Sequence, residues 1–96
     1  MADYRLSRRA ARDVEEILQH SLEQFGIQAA DRYVTALQET FNLLAENPLI
    51  ARERREHDPP VRIFPARRHR VIYVQDGGGI WILRVLHGRM ILPDNL

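Results

Sequence analysis

The chain has 96 residues, 45% of them apolar, a formal net charge of +1 and no cysteine. One thin-cored domain over residues 1–96 is therefore expected, with no disulfide and no thiolate metal site. No apolar run reaches membrane-spanning length and no signal-like segment opens the chain, so a cytoplasmic protein without membrane contact is the expectation.

Charge is unevenly placed. Residues 1–50 hold five Arg against eight acids, or −3; residues 51–96 hold nine Arg against five acids, or +4. Every strongly basic residue is arginine, a planar fork suited to carboxylate or phosphate, and no lysine is available as a base.

In chain order, Asp3–Leu6 is a short possible strand, and Ser7 is a suitable cap for a following helix. Ala10, Val14, Ile17, Leu18, Ser21, Leu22 and Phe25 recur at helical spacing, and Gly26 stops them. Ala30, Tyr33, Val34, Leu37, Phe41 and Leu44 repeat the pattern until Asn47-Pro48. So short a connection predicts an antiparallel helical hairpin. Residues 49–60 are polar and end in Pro59-Pro60, which reads as a loop. Val61–Ala66, Arg68–Gln75 and Ile80–His87 are rich in β-branched and aromatic residues and read as strands. Pro65 marks the first as short or at an edge. Asp76-Gly77-Gly78-Gly79 joins the last two as a hairpin. The expected fold is α+β: a short N-terminal strand and a helical hairpin packed on an antiparallel sheet of three C-terminal strands.

Strict alternation along the last strand places Ile80, Ile82, Arg84 and Leu86 on one face and Trp81, Leu83, Val85 and His87 on the other. Both faces are largely apolar, and the helices cover one. The first strand, the C-terminal residues or a partner chain is left to cover the second.

Several polar groups invite a function, each beside a plainer reading. Arg8, Arg9 and Arg12 crowd the start of the first helix; the favoured reading is that Asp13, Glu15 and Glu16 offset them in a solvated ladder, and the alternative is contact with an acidic partner. Arg67-Arg68-His69-Arg70 is the densest basic run, balanced between a phosphate-binding surface and a charged strand end. Arg84 on an apolar strand either pairs with a helix carboxylate such as Glu16 or Glu23, or lies open to bind an anion. His87 is either a general acid–base or a packed strand-end residue. His20, His57, His69 and His87 have no ligand spacing, so neither metal nor cofactor is expected. The glycine run precedes a strand and so is a turn, not a phosphate loop.

Five stretches together resemble the ParE branch of the RelE/ParE toxin superfamily. They are Tyr4-Arg5-Leu6-Ser7, Gln28-Ala29-Ala30-Asp31-Arg32-Tyr33, Leu44-Ala45-Glu46-Asn47-Pro48, Arg68-His69-Arg70-Val71-Ile72-Tyr73 and Ile82-Leu83-Arg84-Val85-Leu86-His87-Gly88-Arg89-Met90. The resemblance implies the toxin of a type II toxin–antitoxin module. It implies neutralisation by a ParD-like antitoxin in a heteromeric complex, DNA gyrase as target, and operator DNA contacted mainly through the antitoxin. The residues expected to meet antitoxin or target are Arg68, Arg70, Trp81, Arg84, His87, Arg89 and Met90. The alternative is a ribosome-dependent mRNA endonuclease of the RelE type using Arg70, Arg84 and His87. It is disfavoured because there is no lysine and the chain ends Asp94-Asn95-Leu96, without the tyrosine common in those nucleases. Ile91-Leu92-Pro93 also departs from the acid that often follows the Met of this motif.

Overall fold

A computed structural model describes residues 2–92; Pro93 and the Asp94-Asn95-Leu96 end lie outside the described residues. The elements run β1 (Tyr4–Leu6), α1 (Arg8–Phe25), α2 (Ile27–Glu46), β2 (Glu53–Arg54), β3 (Val61–Ala66), β4 (His69–Asp76) and β5 (Gly79–His87). Among the described residues no helix is long and apolar enough to cross a membrane.

Ser7 caps α1 as its sequence position predicts. Its Oγ accepts from the Ala10 N–H at 2.9 Å, satisfying a donor the helix leaves unpaired. The same hydroxyl donates to the Leu83 carbonyl at 2.8 Å, and the Ser7 N–H reaches the Ile82 carbonyl at 2.9 Å. One residue thus starts the helix and fixes it to β5. Gly26, at φ 87°, alone separates the helices. Asn47 closes α2, with both its backbone N–H and its Nδ2 on the Leu43 carbonyl.

The three C-terminal strands pair antiparallel as expected, and the sheet is larger than they alone would make. Its order is β1-β5-β4-β3-β2. β1 lies parallel to β5, with Tyr4, Arg5 and Leu6 opposite Ile80, Trp81 and Ile82. The first strand therefore extends the sheet edge instead of covering a face. Within the predicted loop, Glu53 and Arg54 form a two-residue edge strand on β3. Pro65 lies beyond that short pairing, so its missing N–H costs β2 nothing. At Gly79 the backbone of Asp3 comes so close that a Cβ would meet the Asp3 carbonyl oxygen at 1.9 Å. Only glycine admits β1 there.

The helices pack Ile17, Leu37, Phe41 and Leu44 against Tyr73, Ile80, Ile82 and Val85. A second cluster on the other side of the sheet gathers Val61, Ile72, Leu83 and Leu86, with Ile63, Val74 and Leu92 against it. Leu92 shows the C-terminal residues contributing to its cover. The strict alternation expected along β5 does not hold. The β4–β5 register shifts between Ile72, opposite Arg84, and Tyr73, opposite Ile82, leaving Leu83 as the extra residue. A bulge of this kind reverses the parity of the residues after it. Val85 therefore joins Ile80 and Ile82 on the helix side, and Leu86 joins Leu83 on the other.

Candidate docking groove

The bulge aims the end of β5 at the helical hairpin. Between α1, the start of α2, the β3–β4 turn and the end of β5 lies a groove of about 630 Å³. Its apolar lining includes Ile17, Phe25, Val85, Leu86 and Met90. Arg9, Arg67 and Arg68 line it as well, with the carboxylates of Asp13 and Glu16.

Its floor is a closed ion pair. Asp13 is buried, and its Oδ2 accepts from Arg84 Nε at 2.8 Å and from the Val85 N–H at 3.0 Å. Its Oδ1 accepts from the second Arg84 nitrogen at 3.1 Å. The hydrogen bond to Asp13 raises the Arg84 pKa, so the guanidinium is fixed as a cation. This corrects two sequence expectations. Asp13 does not belong to the solvated ladder, and the partner of Arg84 is Asp13, not Glu16 or Glu23. The signal was available: Asp13 lies three residues after Ala10 and four before Ile17, on the buried stripe, where a carboxylate requires a partner.

The groove wall beyond Arg84 is a chain of aromatic and imidazole groups. Tyr33 Oη lies 2.6 Å from His69 Nδ1 and accepts from the Arg68 N–H at 3.2 Å. The contact joins the phenol oxygen and Nδ1 as hydrogen-bond partners, with the donor set by the His69 tautomer. Burial raises the Tyr33 pKa, so the phenol stays neutral. The His69 ring meets the His87 ring edge-on at 5.5 Å. Burial first, then nearby His87 and Arg68, lowers the His69 pKa to about 4. His87 Nδ1 accepts from the Arg89 N–H at 3.2 Å. Neither Tyr33 nor His69 was singled out from sequence as a site residue. The cue was a tyrosine on an apolar helix stripe, whose hydroxyl needs a partner when partly buried.

Of the residues expected to meet antitoxin or target, Arg68, Arg84, His87 and Met90 come together in the groove. Arg70 sits beside it, its guanidinium on the Met90 carbonyl. Arg89 follows His87 in the turn that closes β5 and is exposed. Trp81 lies elsewhere, between Arg5 and Val74 in the sheet and 41% exposed. The three residues of the nuclease alternative are thus differently employed: Arg84 is paired, Arg70 holds a carbonyl, and His87 is exposed.

Comparison with known proteins bears on the same architecture. Residues 4–92 match the model of a family described as the ParE toxin of the type II toxin–antitoxin system parDE. The chain is 36% identical over 94 residues to Toxin ParE1 of Mycobacterium tuberculosis (strain ATCC 25618 / H37Rv), covering 97% of this chain and 96% of that protein. It is 33% identical over 90 residues to Toxin ParE1 of Caulobacter vibrioides, covering 94% and 93%. Among solved structures, a chain of the chromosomal ParDE system from P. aeruginosa superposes with a TM-score of 0.76 at 24% identity, over 91% of this chain and 96% of that one.

Proposed function

The chain belongs to the ParE toxin family of type II toxin–antitoxin systems, and from that premise we propose that it is held inactive by a ParD-like antitoxin seated in the groove. The observation that carries this reading is the groove itself. It has apolar lining, arginines at its mouth and a volume of about 630 Å³. A segment that presents an apolar stripe to such a groove buries it while its polar face stays in water. A segment that folds as it binds also wraps a large share of a small surface. Operator DNA is then met mainly by the antitoxin.

The freed toxin acts as a binding poison of DNA gyrase. Support comes from how the candidate nuclease side chains are used. Arg84 is 13% exposed and closed on Asp13, and Arg70 is engaged with a backbone carbonyl. Neither is arranged to receive a scissile phosphate.

Purified protein is expected to inhibit gyrase supercoiling or to trap cleaved DNA, and the antitoxin encoded beside it to reverse the effect. No effect on gyrase at large molar excess rejects the target. New mRNA ends on translating ribosomes would establish the nuclease alternative instead. Met90→Glu places a charge on a half-exposed part of the groove and is expected to weaken the antitoxin complex without unfolding the toxin.

A further inference from the structure

Arg68 is held by three separate elements. The Tyr33 hydroxyl of α2 takes its N–H at 3.2 Å. The Gly88 N–H, just past β5, donates to its carbonyl at 2.8 Å. The Phe25 ring, at the end of α1, lies 5.3 Å from its guanidinium carbon. The approach at Gly88 is close: a Cβ there would sit 3.3 Å from the Arg68 carbonyl oxygen. Arg67, its neighbour in the β3–β4 turn, has φ 56°, a conformation residues other than glycine rarely adopt. A two-residue hairpin loop, closed here by the Ala66–His69 pair, requires such a φ at its first position. Yet among the described residues no carboxylate pairs with Arg67 or Arg68. The backbone of the turn is thus fixed, the Arg68 guanidinium rests on Phe25, and among the described residues neither cation has a carboxylate partner.

Resting on the antitoxin reading above, we propose that the Arg67-Arg68 turn is a preorganised carboxylate-binding clamp for acidic side chains of the docked segment, with Tyr33 as its positioning residue. Charge complementarity selects the ligand. A phosphate chain running along the groove would pass the Glu16 carboxylate and the apolar side chains of Ile17, Phe25 and Met90. An amphipathic peptide buries those apolar groups and brings carboxylates to the turn alone. Planar carboxylates also match the guanidinium fork. Because the backbone of the turn is already fixed, only the arginine side chains are left to order on binding.

The test is calorimetric titration of the full-length toxin with the antitoxin encoded beside it, at low and high salt. Arg67→Gly removes a charge and suits the positive φ, so the fold is retained; Arg68→Ala changes an exposed side chain. Each is expected to weaken binding about fivefold and to reduce its salt dependence. Tyr33→Phe keeps both charges and is expected to weaken binding less. Its effect should vanish in the Arg67→Gly/Arg68→Ala background, because a positioning residue has nothing left to position. A merely structural tyrosine would give the same loss in both backgrounds, and that result overturns its role. If Met90→Glu weakens binding while both arginine variants stay within twofold of wild type, the clamp is wrong and the groove reading stands. If Met90→Glu has no effect, the groove reading falls and the clamp with it. Binding of a fluorescent single-stranded oligouridine that depends on Arg68, with antitoxin affinity unchanged, would assign the turn to nucleic acid and overturn the proposal.

Discussion

Arg84 and Arg68 line the same groove and meet opposite fates. Arg84 is 13% exposed, its charge taken up by a buried carboxylate that also accepts a backbone N–H. Arg68 is exposed, fixed by its backbone and a phenyl ring, and has no carboxylate among the described residues. The side chain is the same; its setting decides what it does. A buried guanidinium closed on a carboxylate is an internal joint between β5 and α1. An anchored cation at the surface is an invitation to a ligand. Residue type alone, or position in a motif, does not separate the two.

The sharpest way to separate floor from mouth is to break the floor. Asp13→Ala leaves Arg84 charged and uncompensated and the Val85 N–H without its acceptor, and is expected to cost about 3–5 kcal/mol in urea denaturation. Replacing both partners, Asp13→Leu with Arg84→Met, should recover much of that loss. A double variant no more stable than Asp13→Ala would show that the pair does more than satisfy itself. Arg84→Ala is also expected to weaken toxicity or antitoxin binding more than Arg9→Ala, because it loosens the end of β5 that lines the groove. Equal effects in growth and binding assays reject that ranking.

The groove wall yields a smaller, pH-dependent effect. His69 has a pKa of about 4 in the fold, against an ordinary value of about 6.5 when unfolded. Between these values the unfolded chain binds a proton that the folded chain does not, so stability falls as pH drops from about 6.5 to about 4 and then levels off. Allowing for the partial solvent exposure of the ring, the loss is of order 1–2 kcal/mol. His69→Gln should flatten this part of the stability–pH curve, and an unaltered slope would show that another group carries it. Tyr33→Phe, which removes a hydrogen-bond partner of His69 and an acceptor for the Arg68 N–H, is expected to cost about 1 kcal/mol. At the mouth, Arg68→Ala should leave the melting temperature where it was. A clear drop would mean that Arg68 belongs with Arg84 as a structural residue.

Much of this fold was legible in local signals. Ser7, Gly26 and Asn47-Pro48 bound the helices because capping is chemistry between near neighbours, and the glycine turn and β-branched runs bound the C-terminal strands for similar reasons. The rest depends on contacts between residues far apart in sequence. The parallel seat of β1 on β5 joins residues about 76 positions apart. The extra residue at Leu83 inverts the expected faces of Val85 and Leu86, and nothing in the alternation announces it. Of the candidate site, Arg68, Arg84 and His87 stand out by their own chemistry, as a basic run, a cation on an apolar strand and an imidazole at a strand end, and Met90 enters only through the family resemblance. Asp13 was misread as one acid among many because charge invited a surface reading, although helical spacing placed it on the buried stripe.

The pairing of β1 with β5 also bears on when a working molecule first exists. Tyr4, made well before its partner, waits for Ile80, and the start of α1 is tied through Ser7 to the carbonyls of Ile82 and Leu83. Asp13 likewise meets Arg84 only at the far end of the chain. Loop closure over such distances slows the step that completes the structure. Until β5 has left the ribosome, a growing chain has neither a closed sheet nor a groove floor, so the groove cannot exist while only the helices have been made.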